Sequence, residues 1–182
     1  HVASIIIDDG LKDEALSTIK ELNDMNIETI MFTGDKSDVA KHIASELNIK
    51  YKAELLPTDK YKELEKLKKK GIVAFVGDGI NDAPVLKLAD VGISMGSIGQ
   101  SIAIEASDIV IMTDKLNKIV EAINLSKFTK KIIKQNLIFA LLIKIVILIL
   151  NLFGITTMWF AVFADTGVTL IAILNTLRIL KK

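Results

Sequence analysis

The chain has 182 residues, 51% hydrophobic and 25% charged, with a formal net charge of +1. That balance supplies no global positive field, which argues against nucleic acid as a partner. The absence of cysteine excludes a disulfide framework or a thiolate metal site within the chain. The two high fractions are reconciled by segregation, with charges dominating roughly the first 130 residues and apolar side chains the rest. The chain opens at His1 rather than Met and runs almost at once into Ile5, Ile6 and Ile7. This is expected of a segment cut from a longer protein, with no signal-peptide pattern ahead of it.

In chain order, residues 4–8 form a short β-branched run, the pattern of a buried parallel strand. Ala15, Leu16, Ile19 and Leu22 then recur at helical spacing. Residues 28–33 predict a second strand, and Val39, Ala40, Ile43, Ala44 and Leu47 mark one face of a second helix. Pro57 suits the first turn of a Lys-rich, solvated helix that runs through Lys70. A strand over 72–76 ends in Gly77-Asp78-Gly79, a short helix covers 83–89, and strands follow at 91–95 and 108–112. This alternation implies a parallel, doubly wound α/β sheet, whose ligands sit at the carboxyl ends of the strands. Both Gly-Asp turns, Thr33-Gly34-Asp35 and Gly77-Asp78-Gly79, fall at such ends.

Asp114 is placed to cap a long helix that starts near Leu116 and meets no breaker before Gly154. From 137 to 153 it is apolar except for Lys144 and Asn151, and a second apolar run covers 158–180. Each run is long enough to cross ~30 Å of hydrocarbon. Lys127, Lys130, Lys131 and Lys134 at one outer end, and Arg178, Lys181 and Lys182 at the other, flank a turn without charge. By the positive-inside bias both outer ends, and with them the α/β domain, are expected to be cytoplasmic. The expected domains are 1–116, an α/β unit; 117–136, a helical connection; and 137–182, two transmembrane helices. The bilayer is therefore one expected partner.

Gly77-Asp78-Gly79-Ile80-Asn81-Asp82-Ala83-Pro84 is the most informative stretch. Its glycines let the backbone turn sharply and approach a ligand. Asp78, Asn81 and Asp82 gather hard oxygens, which suit Mg²⁺ shared with a substrate phosphate. Thr33-Gly34-Asp35 offers a hydroxyl and a backbone N–H to a phosphoryl oxygen, or is a simple strand-to-helix loop. Lys60 is one of many lysines on a polar helix, solvated or neutralising a phosphoryl group.

Thr-Gly-Asp, Leu-Xaa-Pro-Xaa-Asp-Lys and Gly-Asp-Gly-Ile-Asn-Asp-Ala-Pro, in this order and spacing, resemble the phosphorylation domain of P-type ATPases, which has the haloacid-dehalogenase fold. That family also places its closing transmembrane helices after this domain. The resemblance implies that Thr33 and Gly34 hold the transferred phosphoryl group, with Asp35 beside it on the nucleotide side. Lys60 balances its charge, Asp78 binds Mg²⁺, and Asn81 and Asp82 complete the site. Asp9 and Lys12 resemble the family's Asp-Xaa-Xaa-Arg/Lys segment near the hinge to its nucleotide domain. The phosphate-accepting aspartate of the family's Asp-Lys-Thr-Gly-Thr motif is not in this sequence. The resemblance therefore implies a C-terminal fragment that does not turn over ATP alone. The nucleotide domain, which binds most of the ATP, the actuator domain and the earlier membrane helices would be its partners.

Lys144 and Asp165 are charges inside the apolar runs. Counted back and forward from the turn they differ in depth by only ~3 Å, within side-chain reach. They read either as a structural ion pair or as an ion-path carboxylate, Asp165, with a built-in counter-charge, Lys144. A single carboxylate does not select a metal. Asp165-Thr166-Gly167 resembles the Asp-Xaa-Gly motif of the zinc-, cadmium- and lead-exporting subgroup, and Lys144 a lysine of its penultimate helix. The implied protein is a multi-pass plasma-membrane pump for Zn²⁺, Cd²⁺ or Pb²⁺ working through an aspartyl phosphate. Alternatives are a pump for Co²⁺ or Cu⁺, or a membrane-tethered phosphatase of the same fold.

Overall fold

The computed structural model describes residues 11–77, 80–96, 101–155 and 157–181. The strand expected over 4–8 lies outside them, as do Asp9, Asp78 and Gly79. The chain divides into two compact units, His1–Val120 and Glu121–Lys182.

In the first unit helices and parallel strands alternate. Helix α1, Ala15–Asp24, buries Ala15, Thr18 and Leu22, whereas Leu16 faces out. It ends in a left-handed Asn26, and the Ile27 N–H donates to the Leu22 carbonyl at 3.0 Å. Helix α2, Ser37–Leu47, buries Ala40, Ala44 and Leu47 and closes the same way through Asn48. Asn tolerates this conformation better than most residues, which is why both helices stop there. Between them strand β1, Ile30–Phe32, pairs in parallel with β2, Lys50–Lys52, with Ile30 opposite Lys50 and Phe32 opposite Lys52. The sequence pattern did not reveal β2, because Lys-Tyr-Lys shows only one apolar residue.

Helix α3, Pro57–Lys68, follows, with Pro57 in its first turn and only Leu64 fully buried. Strand β3, Ala74–Gly77, leads through a 3₁₀ turn, Ile80–Asp82, into α4, Ala83–Leu88. Strands β4, Val91–Met95, and β5, Ile109–Ile111, flank helix α5, Ser101–Ala106. The order is β3-β4-β5, all parallel. Among the described residues the strands thus form two hydrogen-bonded groups, one of two strands and one of three. The core around the second group is Leu64, Val85, Leu86, Ile93, Met95 and Ile111. β4 is its most buried strand, and Gly92 lets it approach α4: a Cβ there would lie 2.5 Å from the Leu86 carbonyl oxygen.

Helix α6, Asn117–Leu152, starts in the first unit and continues through the second. The Asp114 carboxylate, ahead of it, lies 2.6 Å from the Lys12 ammonium, which also donates to the Asp114 carbonyl at 3.1 Å. The 36 residues of α6 span about 54 Å. Just past its end stands Gly154, whose φ of 71° suits a residue without a side chain, and the Ile155 N–H returns to the Leu150 carbonyl at 3.1 Å.

The second apolar run is not one regular helix. It comprises α7, Met158–Val162; a π-helical turn, Phe163–Gly167; α8, Val168–Thr176; and a closing 3₁₀ turn, Leu177–Lys181. Most large apolar side chains of this second unit are exposed, among them Leu142, Leu148, Trp159 and Leu170. Two helical stretches, Asn117–Leu152 and Phe163–Lys181, are long and apolar enough to cross a membrane. Exposed apolar faces of that length fit a hydrocarbon solvent, and hydrogen bonds within each helix satisfy the backbone there.

Candidate functional site

The first candidate site is built at the carboxyl ends of the strands in the first unit. The loop after β1 carries Thr33, Gly34 and Asp35. The Thr33 hydroxyl donates to the Asp35 carboxylate at 2.6 Å, and the Asp35 N–H donates back to the hydroxyl oxygen at 3.1 Å. The segment after β2 clasps this loop. The Glu54 N–H donates to the Asp35 carbonyl at 2.9 Å, and the Leu55 N–H to the Thr33 carbonyl at 3.0 Å. Gly34 sits beneath, where a Cβ would touch the Leu55 carbonyl oxygen at 3.5 Å.

Five residues beyond Leu55, in the first turns of α3, Lys60 reaches across to the end of β3. Its ammonium lies 2.9 Å from an Asp82 carboxylate oxygen, and the side chains are only 18% and 12% exposed. The Thr33 loop, the start of α3 and the turn after β3 therefore form one connected rim. A solvated lysine, one of the two readings left open by the sequence, is not what this position holds.

The other Asp82 oxygen, Oδ2, faces the bare Cα of Gly77, where an added Cβ would sit 3.1 Å from it. One oxygen of Asp82 is thus held by a cation and the other borders space that a side chain would fill. Asn81 is exposed beside it. Among the described residues no three His, Cys, Asp or Glu side chains cluster as a self-sufficient metal cage. That donor set fits Mg²⁺, which takes one or two carboxylates and completes its shell with water and phosphate oxygens.

Ion pairs also fix α3 along its length, as far as the amino ends of β3 and β4. Glu63 pairs with Lys52 of β2 and, at 2.6 Å, with Lys66. Lys68 pairs with Asp90 at 3.1 Å and donates to the Leu88 carbonyl at 2.6 Å. Asp90 also accepts the Val73 N–H at 2.9 Å. That backbone bond, and then Lys68, hold the Asp90 carboxyl below its ordinary value. Glu28 is likewise lowered by its hydrogen bond and charge pairing with Lys50.

The second candidate site lies in the second unit. Lys144 of α6 stands 3.8 Å from the Asp165 carboxylate, which is 78% exposed within this unit. Asp165 is in the π turn, whose geometry is set locally. The Thr169 hydroxyl donates to the Asp165 carbonyl at 2.6 Å, and a Cβ on Gly167 would lie 2.7 Å from the Phe163 ring. Nearer the other end of α8, Asn136 of α6 donates to the Ala172 carbonyl at 3.1 Å and to the Thr176 hydroxyl at 3.0 Å. The Asn175 amide donates back to Asn136 at 2.7 Å, and Arg178 donates to Asn175 at 3.0 Å. The sequence reading did not select Asn136, Asn175 or Glu54. Asn175 carried a legible signal, a polar group in an apolar run, but the reading stopped at full charges; Asn136 follows the Lys-rich stretch and did not stand out. Glu54 carried none. His42 is exposed on α2.

A family model described as a haloacid dehalogenase-like hydrolase matches residues 1–90. The chain is 46% identical to the cadmium, zinc and cobalt-transporting ATPase of Bacillus subtilis, over 100% of this chain and 27% of that protein. It is 47% identical to the zinc-transporting ATPase of Synechocystis, over 97% of this chain and 25% of that one. Among solved structures, a zinc-transporting PIB-type ATPase in its E2·Pi state superimposes with a TM-score of 0.89 at 42% identity, covering 94% of this chain and 28% of that one. The chain spans about a quarter of the length of the curated relatives it matches.

Proposed function

Because the chain belongs to the heavy-metal-transporting P-type ATPases, we propose that it supplies the phosphate rim and two membrane helices of an ATP-driven exporter of Zn²⁺ and Cd²⁺. Co²⁺ is a further cargo to test, since it appears in the name of the Bacillus subtilis relative. In this reading residues 1–116 are part of the phosphorylation domain and 117–136 the connection to the membrane. Residues 137–182 form the membrane hairpin. The soluble unit faces the cytoplasm, and nucleotide and actuator domains and earlier membrane helices of the same pump are its partners.

In the rim, the Thr33 hydroxyl and Gly34 N–H orient the transferred phosphoryl group and Asp35 restrains the Thr33 hydroxyl. Lys60 offsets the charge that builds on the phosphoryl oxygens, a task suited to a compact ammonium held by Asp82. Asp78 and Asp82 would hold Mg²⁺, whose charge supplies further neutralisation, and Asn81 borders it. The phosphorylated aspartate comes from another part of the pump.

In the membrane, Asp165 offers an oxygen to the transported cation, and Lys144 takes that carboxylate when the cation has left. The observation that carries this reading is the Lys144–Asp165 approach of 3.8 Å. A carboxylate in a span is costly, and it is retained where it lines an ion path or has a partner. A tethered phosphatase has no use for such a group. Asp165→Ala in the intact pump is expected to abolish Zn²⁺-stimulated ATP hydrolysis in proteoliposomes. Wild-type stimulation in that variant would leave the pair a purely structural one.

A further inference from the structure

Among the described residues, five have a positive φ: Asn26, Asn48, Glu54, Gly96 and Gly154. Two are glycines, and two are asparagines that end helices α1 and α2. Glu54, at φ 57°, is neither. A Glu in the left-handed region is uncommon and persists only where its surroundings enforce it. What enforces it here is the clasp on the Thr33 loop. With Glu54 turned, two successive N–H groups, of Glu54 and Leu55, meet the carbonyls of Asp35 and Thr33. The Glu54 carboxylate adds a longer contact, accepting the Ser37 N–H at 3.4 Å.

We infer that Glu54 is a positioning residue for the phosphoryl site and acts through its backbone conformation rather than its charge. This rests on the phosphoryl reading of the Thr33 loop. An anion site built from a loop must keep the carbonyl oxygens away from the anion and leave N–H and O–H groups facing it. Occupying both flanking carbonyls from one side does that. The same segment enters α3 within a few residues, so the turn at Glu54 also sets the distance between the loop and Lys60. Relaxing Glu54 to an ordinary φ would swing the 54 and 55 N–H groups off the loop and uncouple it from the Lys60–Asp82 pair.

The test uses the intact pump in detergent and measures its apparent affinity for inorganic phosphate, read as phosphoenzyme formed without transported metal. Melting temperature is recorded for every variant. Glu54→Val, a β-branched residue that resists positive φ, is expected to weaken phosphate affinity about tenfold. Glu54→Ala removes the carboxylate without worsening the backbone preference, and Glu54→Asn eases it, so both are expected to stay within about twofold of wild type. If Glu54→Val does not fold, Glu54→Thr replaces it, with hydrogen exchange at 33–35 as a second readout. Phosphate affinity unchanged in a folded Val or Thr variant, while Thr33→Ala weakens it, would overturn the role of Glu54 and leave the phosphoryl reading standing. Glu54→Ala as impaired as Glu54→Val would assign the effect to the carboxylate and overturn the backbone role. An unchanged affinity in Thr33→Ala would remove the phosphoryl reading and this inference with it.

Discussion

Lys60 and Asp82 are each mostly enclosed, so each depends on the other for a charge it cannot give to water. Lys60→Met is expected to cost about 2–4 kcal/mol of stability, because it strands a buried carboxylate. Denaturation of the variant against wild type reads this directly. Gly92→Ala acts through shape instead: its Cβ would meet the Leu86 carbonyl at 2.5 Å, and the neighbour is backbone. Pushing β4 off α4 should cost about 1–3 kcal/mol by the same measurement. Asp90 makes a prediction in pH. Its folded carboxyl is held below its ordinary value by the Val73 N–H and Lys68. Its contribution is therefore fully present above the unfolded value of about 4 and is lost as pH falls through the lower folded value. Asp90→Asn should lower the unfolding free energy at neutral pH, where the contribution is present, and converge with wild type in acid, so that its profile of unfolding free energy against pH is flatter below about pH 4.

At the scale of elements, the strands and helices with a clear period were legible, and those without one were not. β4 stands where its apolar run put it, at Val91–Met95. β2 was hidden because Lys50 and Lys52 are exposed or half-exposed, and only pairing with β1 makes them a strand. Ile72 was read into a strand but is 90% exposed, since β3 starts two residues later. In the second apolar run the hydrophobic pattern was readable, but the π turn at Phe163–Gly167 was not. Its causes are contacts, such as the Phe163 ring over Gly167, and not periodicity. The Asn136 network joins α6 to α8 by three hydrogen bonds. At roughly 0.6 kcal/mol for each interhelical bond, Asn136→Leu should destabilise the helix pair by about 1–2 kcal/mol. Steric-trapping or thermal unfolding of the pump in bicelles measures it.

For the whole molecule, the order of motifs carried most of the functional reading, because the residues of the rim are brought together by topology that the alternation of strands and helices already implies. What that order did not contain were the contacts that tie the first unit together: the Glu54 turn against the Thr33 loop, the Lys68–Asp90 tie and the Lys12–Asp114 pair. Each joins residues far apart in sequence whose types give no local signal. Lys144 and Asp165, 3.8 Å apart, are expected to behave as a unit in the same sense. Lys144→Leu alone leaves Asp165 without its neighbour, at an insertion cost of about 2.5–3.5 kcal/mol, whereas Lys144→Leu with Asp165→Leu removes both penalties. The double variant is thus expected to integrate into membranes better than the single one, as measured by resistance to carbonate extraction.

A π-helical turn is what a helix makes of one surplus residue: the ladder bulges to take it in, and the helix on either side continues as though nothing had been added. The stretch from Phe163 to Gly167 is such an insertion. The span can therefore shed a residue there and keep the faces of α7 and α8 in phase, while the same deletion one turn away would rotate everything beyond it by about 100°. Shortening by a single codon should be survivable for the architecture of this helix at that place and nowhere else along it, at the expense of the widened turn that presents Asp165.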